Sequence, residues 1–137
     1  MQRCILCQSN KTALYYQDHN RRYCNCNTCG CVFIPHEALP KAKEEKERYL
    51  SHQNDVEDSG FQKFVRPMVN AIKAKHTTKE KGLDFGAGTG PVVSKLLEDF
   101  NYKMVLYDPF FHPNKDSLNN SYDFIVCCEV IEHLHNP

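Results

Sequence analysis

Apolar residues recur at helical spacing in one stretch of the chain: Phe61, Phe64, Val65, Met68, Val69 and Ile72. Positions three and four apart share one side of a helix, so this segment is predicted to be amphipathic, with Pro67 kinking it or starting its second part. A second helix, charged and solvated, is predicted over 40–50, which has strong helix formers and Pro40 at a plausible first turn. Between the two, residues 51–60 are polar and end in the loop signal Asp58-Ser59-Gly60. The texture changes at residue 82. Leu83-Asp84-Phe85 is a short strand candidate that runs into Gly86-Ala87-Gly88-Thr89-Gly90. Pro91 then suits a first helical position, and Val92, Val93, Leu96 and Leu97 supply an apolar face. Met104 to Tyr107 reads as a second strand ending at Asp108-Pro109, residues 109–121 as loop, and Phe124 to Cys128 as a third, buried strand that includes Cys127 and Cys128. Glu129 to His135 is predicted to begin a helix. Strand, glycine turn, helix, strand is a βαβ pattern, so the class is α/β with a parallel sheet.

The front of the chain is different. Six of the eight cysteines fall in the first 31 residues: Cys4, Cys7, Cys24, Cys26, Cys29 and Cys31. Between the two clusters, Thr12 to Tyr23 is polar and carries three tyrosines, and Val32-Phe33-Ile34 is a β-prone run stopped by Pro35. Cys4-x2-Cys7 and Cys26-x2-Cys29 are separated by 18 residues, which is the spacing of a four-cysteine zinc site. Two tight turns, each with two thiolates, complete a tetrahedron, and a site with four protein ligands is structural because no position is left for water. Gly30 lets the backbone turn beside the metal. Cys24 and Cys31 offer alternative sulfurs, while His19 and His36 are weaker candidates. Metal binding would supply folding energy to a module too small for its own core.

The chain has 137 residues, 17 Lys+Arg and 17 Asp+Glu. Zero net charge argues against a uniformly basic nucleic-acid binder, yet residues 1–81 carry a net +5 and residues 82–137 a net −5. This asymmetry suggests two functional parts. No apolar run approaches membrane-spanning length, and the N-terminus has no long apolar segment of a secretory signal, so the expected location is the cytoplasm.

The glycine segment lacks the Gly-Lys-Ser/Thr ending of a phosphate loop. Its third glycine falls one residue too early for the dinucleotide fingerprint, because Pro91 stands where that glycine belongs. Leu83-Asp84-Phe85-Gly86-Ala87-Gly88-Thr89-Gly90 instead resembles the first motif of class I S-adenosylmethionine-dependent methyltransferases. Asp108, 24 residues after Asp84, resembles that family's acidic residue at the end of the second strand. Tyr122 to Leu134 resembles its later strand and the Glu-rich segment after it. A Cys-rich ribbon, a linker with Tyr49-Leu50-Ser51-His52-Gln53-Asn54 and then the core resemble a subgroup of these enzymes, so the similarity covers nearly the whole chain.

The resemblance implies a partial Rossmann-like methyltransferase sheet over 81–137, preceded by a zinc-ribbon-like module over 1–36 and a helical linker over 37–80. It implies methyl transfer from S-adenosylmethionine to an acceptor that the sequence does not identify, small molecule or macromolecule, with nucleic acid a weaker candidate and no membrane. Gly86, Ala87, Gly88 and Gly90 would form the cofactor loop, Asp84 would orient it and favour the ammonium group, and Asp108 would accept from both ribose hydroxyls. Glu129 and His133, four apart, would share a helix face, with His133 the candidate base; the alternative is a helix-stabilising pair. Phe110-Phe111 would cover the adenine or pack in the core. Only 14 residues separate Asp108 from Asp123, so the family's third strand is expected to be abbreviated or absent. Its later strands are not in this sequence, which resembles an N-terminal part: a fragment, a truncated product or one piece of a split enzyme. The competing reading is a zinc-ribbon module that binds nucleic acid or protein, attached to a catalytically incomplete scaffold.

Overall fold

The computed structural model describes residues 2–52 and 55–137, with the side chain of His52 excepted. Gln53 and Asn54 of the Tyr49–Asn54 linker motif therefore lie outside the described residues. The chain divides into two compact units, one of residues 1–42 with 131–137, the other of residues 43–130.

In the first unit, β1 (Thr12–Gln17), β2 (Arg22–Cys26) and β3 (Val32–Phe33) form an antiparallel sheet in the order β1-β2-β3. The polar stretch between the cysteine clusters is thus a hairpin. Its turn is fixed locally: Asp18 Oδ1 accepts from the N–H groups of Asn20 and Arg21 at 2.7 and 2.6 Å. Such side-chain-to-backbone bonds let Asp reverse the chain without glycine. A bulge between Leu14 and Tyr16 breaks the β1–β2 register. The small core consists of Cys4, Cys24, Cys26 and Phe33, with Ile5 and Cys31 packed against it.

In the second unit, α1 (Ala42–His52, whose first residue belongs to the other unit) is the charged helix the sequence predicts; it carries an exposed Lys43–Glu47 pair at 3.9 Å, a contact of little energetic weight. The amphipathic helix α2 spans Ser59–Lys75. It begins inside the segment read as loop, because Asp58 caps it by accepting from the Phe61 N–H at 2.9 Å. The helix runs on through Pro67. Val65 and Val69 are its buried residues, and Phe61, Met68 and Ile72 pack beside them.

The parallel sheet consists of β4 (Lys81–Phe85), β5 (Lys103–Tyr107) and β6 (Phe124–Val126), in the order β5-β4-β6. Helix α3 (Val92–Glu98) connects β4 to β5. Its first residue follows Pro91, which stands at the cap rather than within the helix. Gly82 pairs with Met104 on one side and Phe124 on the other. A Cβ there would lie 2.3 Å from the Phe124 ring, so the absent side chain makes room for its neighbours. Phe124 and Val126 face the core made by Val65, Val69, Val92, Val93, Leu97 and Tyr102. The Tyr102 hydroxyl donates to the His76 carbonyl at 2.7 Å, and the His76 ring lies 4.8 Å from that of Phe124.

Two expectations fail at the end of β6. The strand stops at Val126, so Cys127 and Cys128 follow it rather than belong to it; Cys127 is exposed and only Cys128 packs against the core. No α-helix begins at Glu129. That residue has φ +53°, outside the right-handed helical region, and only a 3-10 turn forms over Ile131–His133. The shared helix face of Glu129 and His133 therefore does not exist. No described helix is long and apolar enough to cross a membrane.

Candidate metal centre and cofactor site

The sulfurs of Cys4, Cys7, Cys26 and Cys29 all lie within 4.8 Å of one another. Cys4 and Cys29 are 3.7 Å apart, and Cys7 and Cys26 are 3.6 Å apart. A tetrahedron with Zn–S near 2.3 Å has edges of about 3.8 Å, so the four sulfurs fit a zinc ion. The two turns are built alike. The Gln8 N–H donates to the Cys4 carbonyl at 3.0 Å and the Gly30 N–H to the Cys26 carbonyl at 2.9 Å. Both closing residues have positive φ, +61° at Gln8 and +75° at Gly30. Glycine flags such a turn in sequence; glutamine does not, so the first turn carries no visible mark. The Cys26 thiol is held down at about 6, chiefly by the backbone N–H of Cys29, against desolvation and with help from the Thr28 N–H. The Ser9 N–H pulls Cys7 downward, but Cys29, desolvation and the other sulfurs together push it up to about 12. The group does not include Cys24 or Cys31, nor His19 or His36. Cys24 is buried in the ribbon core, and desolvation holds the Cys31 thiol above its ordinary value.

At the carboxyl end of β4 the glycine segment forms a tight turn. The N–H groups of Gly86 and Ala87 both donate to the Tyr107 carbonyl, at 2.8 and 3.0 Å, which locks the loop to the end of β5. Gly86 (φ +78°) sits against Val130, where an added Cβ would lie 2.4 Å from a methyl carbon. Gly88 (φ +63°) has nothing within 4 Å of that position. The first glycine is thus required by the protein's own packing, whereas the second leaves a bare backbone surface. Gly90 is buried, and its carbonyl accepts from the Val92 N–H at 2.9 Å.

Asp84 is buried and points toward α3, where its Oδ2 accepts from the Ser94 hydroxyl at 2.7 Å. Burial raises its pKa above the ordinary carboxylate value, and the Ser94 hydroxyl only partly offsets this. Asp108 ends β5. Its Oδ2 accepts from the Gly88 N–H at 3.0 Å, and its Oδ1 accepts from the N–H groups of Phe110 and Phe111 at 2.8 and 3.1 Å. A carboxylate has about four lone-pair sites, so about one remains, on the oxygen beside Gly88. The Phe110-Phe111 pair contributes its backbone to Asp108, and the Phe111 ring meets that of Tyr49 edge-on, 6.5 Å between centroids. The sequence pattern did not reveal Ser94, Val130 or these amides. The Asp-Pro-Phe-Phe run was the one available sign, because aspartate often accepts from the N–H two residues on.

Strand order completes the picture. The chain passes from β4 to β5 on one side and returns to β6 on the other, so β4 is central. In open α/β sheets such a reversal opens a crevice outside the carboxyl ends of the strands, where ligands bind. Gly86–Gly90, Asp108 and Glu129 all follow the carboxyl ends of these strands. A family model described as a methyltransferase domain matches residues 36–137. The chain belongs to this family. It is a class I methyltransferase domain with a cysteine cluster ahead of it. No curated protein and no solved structure matches the chain. His133 of this domain lies in the terminal 3-10 turn, with its Nε2 3.9 Å from Glu132 Oε1.

Proposed function

We propose that this methyltransferase domain binds S-adenosylmethionine at the carboxyl ends of β4 and β5 and supports methyl transfer to an acceptor, with a structural zinc ion in the ribbon. The observation that carries the reading is Asp108. Three backbone N–H groups hold its carboxylate rigid beside the open backbone of Gly88, with about one acceptor site left for a ligand hydroxyl. In this reading one ribose hydroxyl donates to Oδ2, the oxygen that accepts from a single amide. The cofactor would supply a methyl group on a sulfonium, ready for in-line displacement. The protein's contribution is positioning: Asp108 fixes the ribose, the Gly86–Gly90 turn shapes the floor, and the buried Asp84–Ser94 bond ties β4 to α3 so that the turn keeps its shape. Glu129 follows β6 at the crevice with a left-handed backbone, and we assign it to acceptor proton transfer. A reducing, cytoplasmic setting suits four thiolate ligands.

Calorimetric titration of zinc-loaded protein with S-adenosylhomocysteine tests the site. Saturable one-site binding is expected, with at least a ten-fold loss in Asp108→Ala. Asp108→Asn, which keeps an acceptor for the Phe110 and Phe111 amides, separates ligand loss from loop collapse. Binding that survives both substitutions would rule out Asp108 as the ribose partner. No binding by folded wild-type protein would turn the reading toward a ribbon module on an incomplete scaffold.

A further inference from the structure

The ribbon unit exposes aromatic surface that its own core does not need. Leu14, Tyr15 and Tyr16 are consecutive on β1 and are 54%, 64% and 56% exposed. Tyr16 pairs with Tyr23 across the hairpin, ring centroids 6.1 Å apart at 39°. Tyr16 and Tyr23 are directly opposed and so share a sheet face. Cys24 lies on the other face, with the metal cluster and Phe33. The core of this unit is complete without the tyrosines, so their exposure is not explained by packing.

The charge around them has one sign. The first 35 residues carry Arg3, Lys11, Arg21 and Arg22 against a single acid, Asp18. The Asp18 carboxylate is held by the two turn amides and its charge faces Arg21, which leaves Arg22 in excess at this end. A zinc-loaded cluster would carry negative charge, but it sits at the far end of β2. Cys26 lies four residues beyond Arg22 on the strand, about 13 Å at 3.3 Å per residue. That exceeds a screening length of about 8 Å at physiological salt, so the hairpin end stays positive.

Flat exposed rings beside guanidinium groups are what a single strand of nucleic acid requires, rings for bases and cations for phosphates. We propose that the β1–β2 hairpin binds single-stranded nucleic acid, with Tyr15, Tyr16 and Tyr23 stacking on bases and Arg21 and Arg22 meeting phosphates. The proposal concerns binding by the ribbon and does not depend on the cofactor site. A duplex fits less well, because its bases are already stacked on one another and offer no open face to the tyrosine rings.

Fluorescence anisotropy of a labelled oligouridine or oligothymidine of about 20 nucleotides, titrated with the full zinc-loaded chain, tests this. Binding is expected to be tighter for the single strand than for a duplex of equal length. Tyr16→Ala is expected to weaken it about five- to a hundred-fold, and Tyr16→Phe to preserve it. In the Arg21→Ser/Arg22→Ser variant, the slope of log affinity against log salt should fall by about 1.4, or about 0.7 per phosphate contact. Each variant must retain the wild-type zinc-to-protein ratio, which shows that the ribbon is folded; Tyr15→Ala replaces any that does not. No binding at about 50 mM salt, or binding that the tyrosine variants leave unchanged, would overturn the proposal. So would self-association that Tyr16→Ala abolishes while oligonucleotide binding is absent, since the free edge of β1 would then serve a protein strand.

Discussion

The two left-handed glycines of the cofactor loop face different surroundings, and this predicts unequal responses to the same substitution. Gly86→Ala meets two penalties. A left-handed backbone costs a residue with a Cβ about 1–2 kcal/mol. The new methyl would also lie 2.4 Å from a Val130 methyl carbon, well inside contact distance. Forcing a methyl into filled space typically costs about 1–3 kcal/mol more, so a total of about 3 kcal/mol is expected. Gly88→Ala meets the backbone penalty alone, because nothing lies within 4 Å, and should cost about 1–2 kcal/mol. Urea unfolding of zinc-loaded protein followed by circular dichroism measures both. Val130→Ala should restore part of the stability of Gly86→Ala, giving a favourable coupling of at least about 1 kcal/mol, and should leave Gly88→Ala unaffected. Cofactor binding should rank the variants differently. Gly88→Ala, the milder one for stability, places its methyl in the open surface where ligand is proposed to lie. Equal destabilisation by the two alanines, or no coupling between Gly86 and Val130, would refute the assignment of Gly86 to packing and Gly88 to ligand.

Two further predictions concern buried charge and metal. A carboxyl whose folded pKa lies above its unfolded value of about 3.8 holds its proton more tightly when folded, so its contribution is full below that value and falls as pH rises through the window above it. Asp84→Asn, which still accepts from Ser94, should therefore be more stable than wild type near neutral pH and show a smaller decline in urea midpoint between about pH 4 and about pH 7; a less stable variant at neutral pH would show that the ionised carboxylate is favoured where it lies. Cys4→Ser, Cys7→Ser, Cys26→Ser or Cys29→Ser should each lower the zinc content and loosen the ribbon, as should a chelator. Cys24→Ser and Cys31→Ser should keep one zinc per chain, and loss of zinc from either would reassign the ligands.

The sequence by itself determined the features whose physical cause is local. Two C-x2-C turns mark a metal site because two adjacent thiolates on one turn need only a second such turn to close a tetrahedron. The glycine repeat after Leu83-Asp84-Phe85, and Asp108 after the next strand, mark the carboxyl ends of two strands because turns and strand ends have their own residue requirements. The helical period from Phe61 to Ile72 placed α2 and its apolar face. Tertiary structure decided everything that depends on which groups meet. It chose four sulfurs out of six, since those of Cys4, Cys7, Cys26 and Cys29 come within 4.8 Å of one another and Cys24 and Cys31 are not in that group. It turned Thr12–Tyr23 into a hairpin through pairing that the polar residues do not advertise. It placed β4 between β5 and β6, which no local preference encodes. Asp84 faces Ser94, and Asp108 is held by amides from three residues, two of them just beyond it and one 20 positions earlier. The predicted helix at Glu129 failed for the same reason. Its composition favours helix, but the chain leaves β6 with Val130 packed on Gly86, and Glu129 takes a left-handed backbone there. Local signals fix which residues stand at the ends of strands; only the packed sheet fixes what those residues touch.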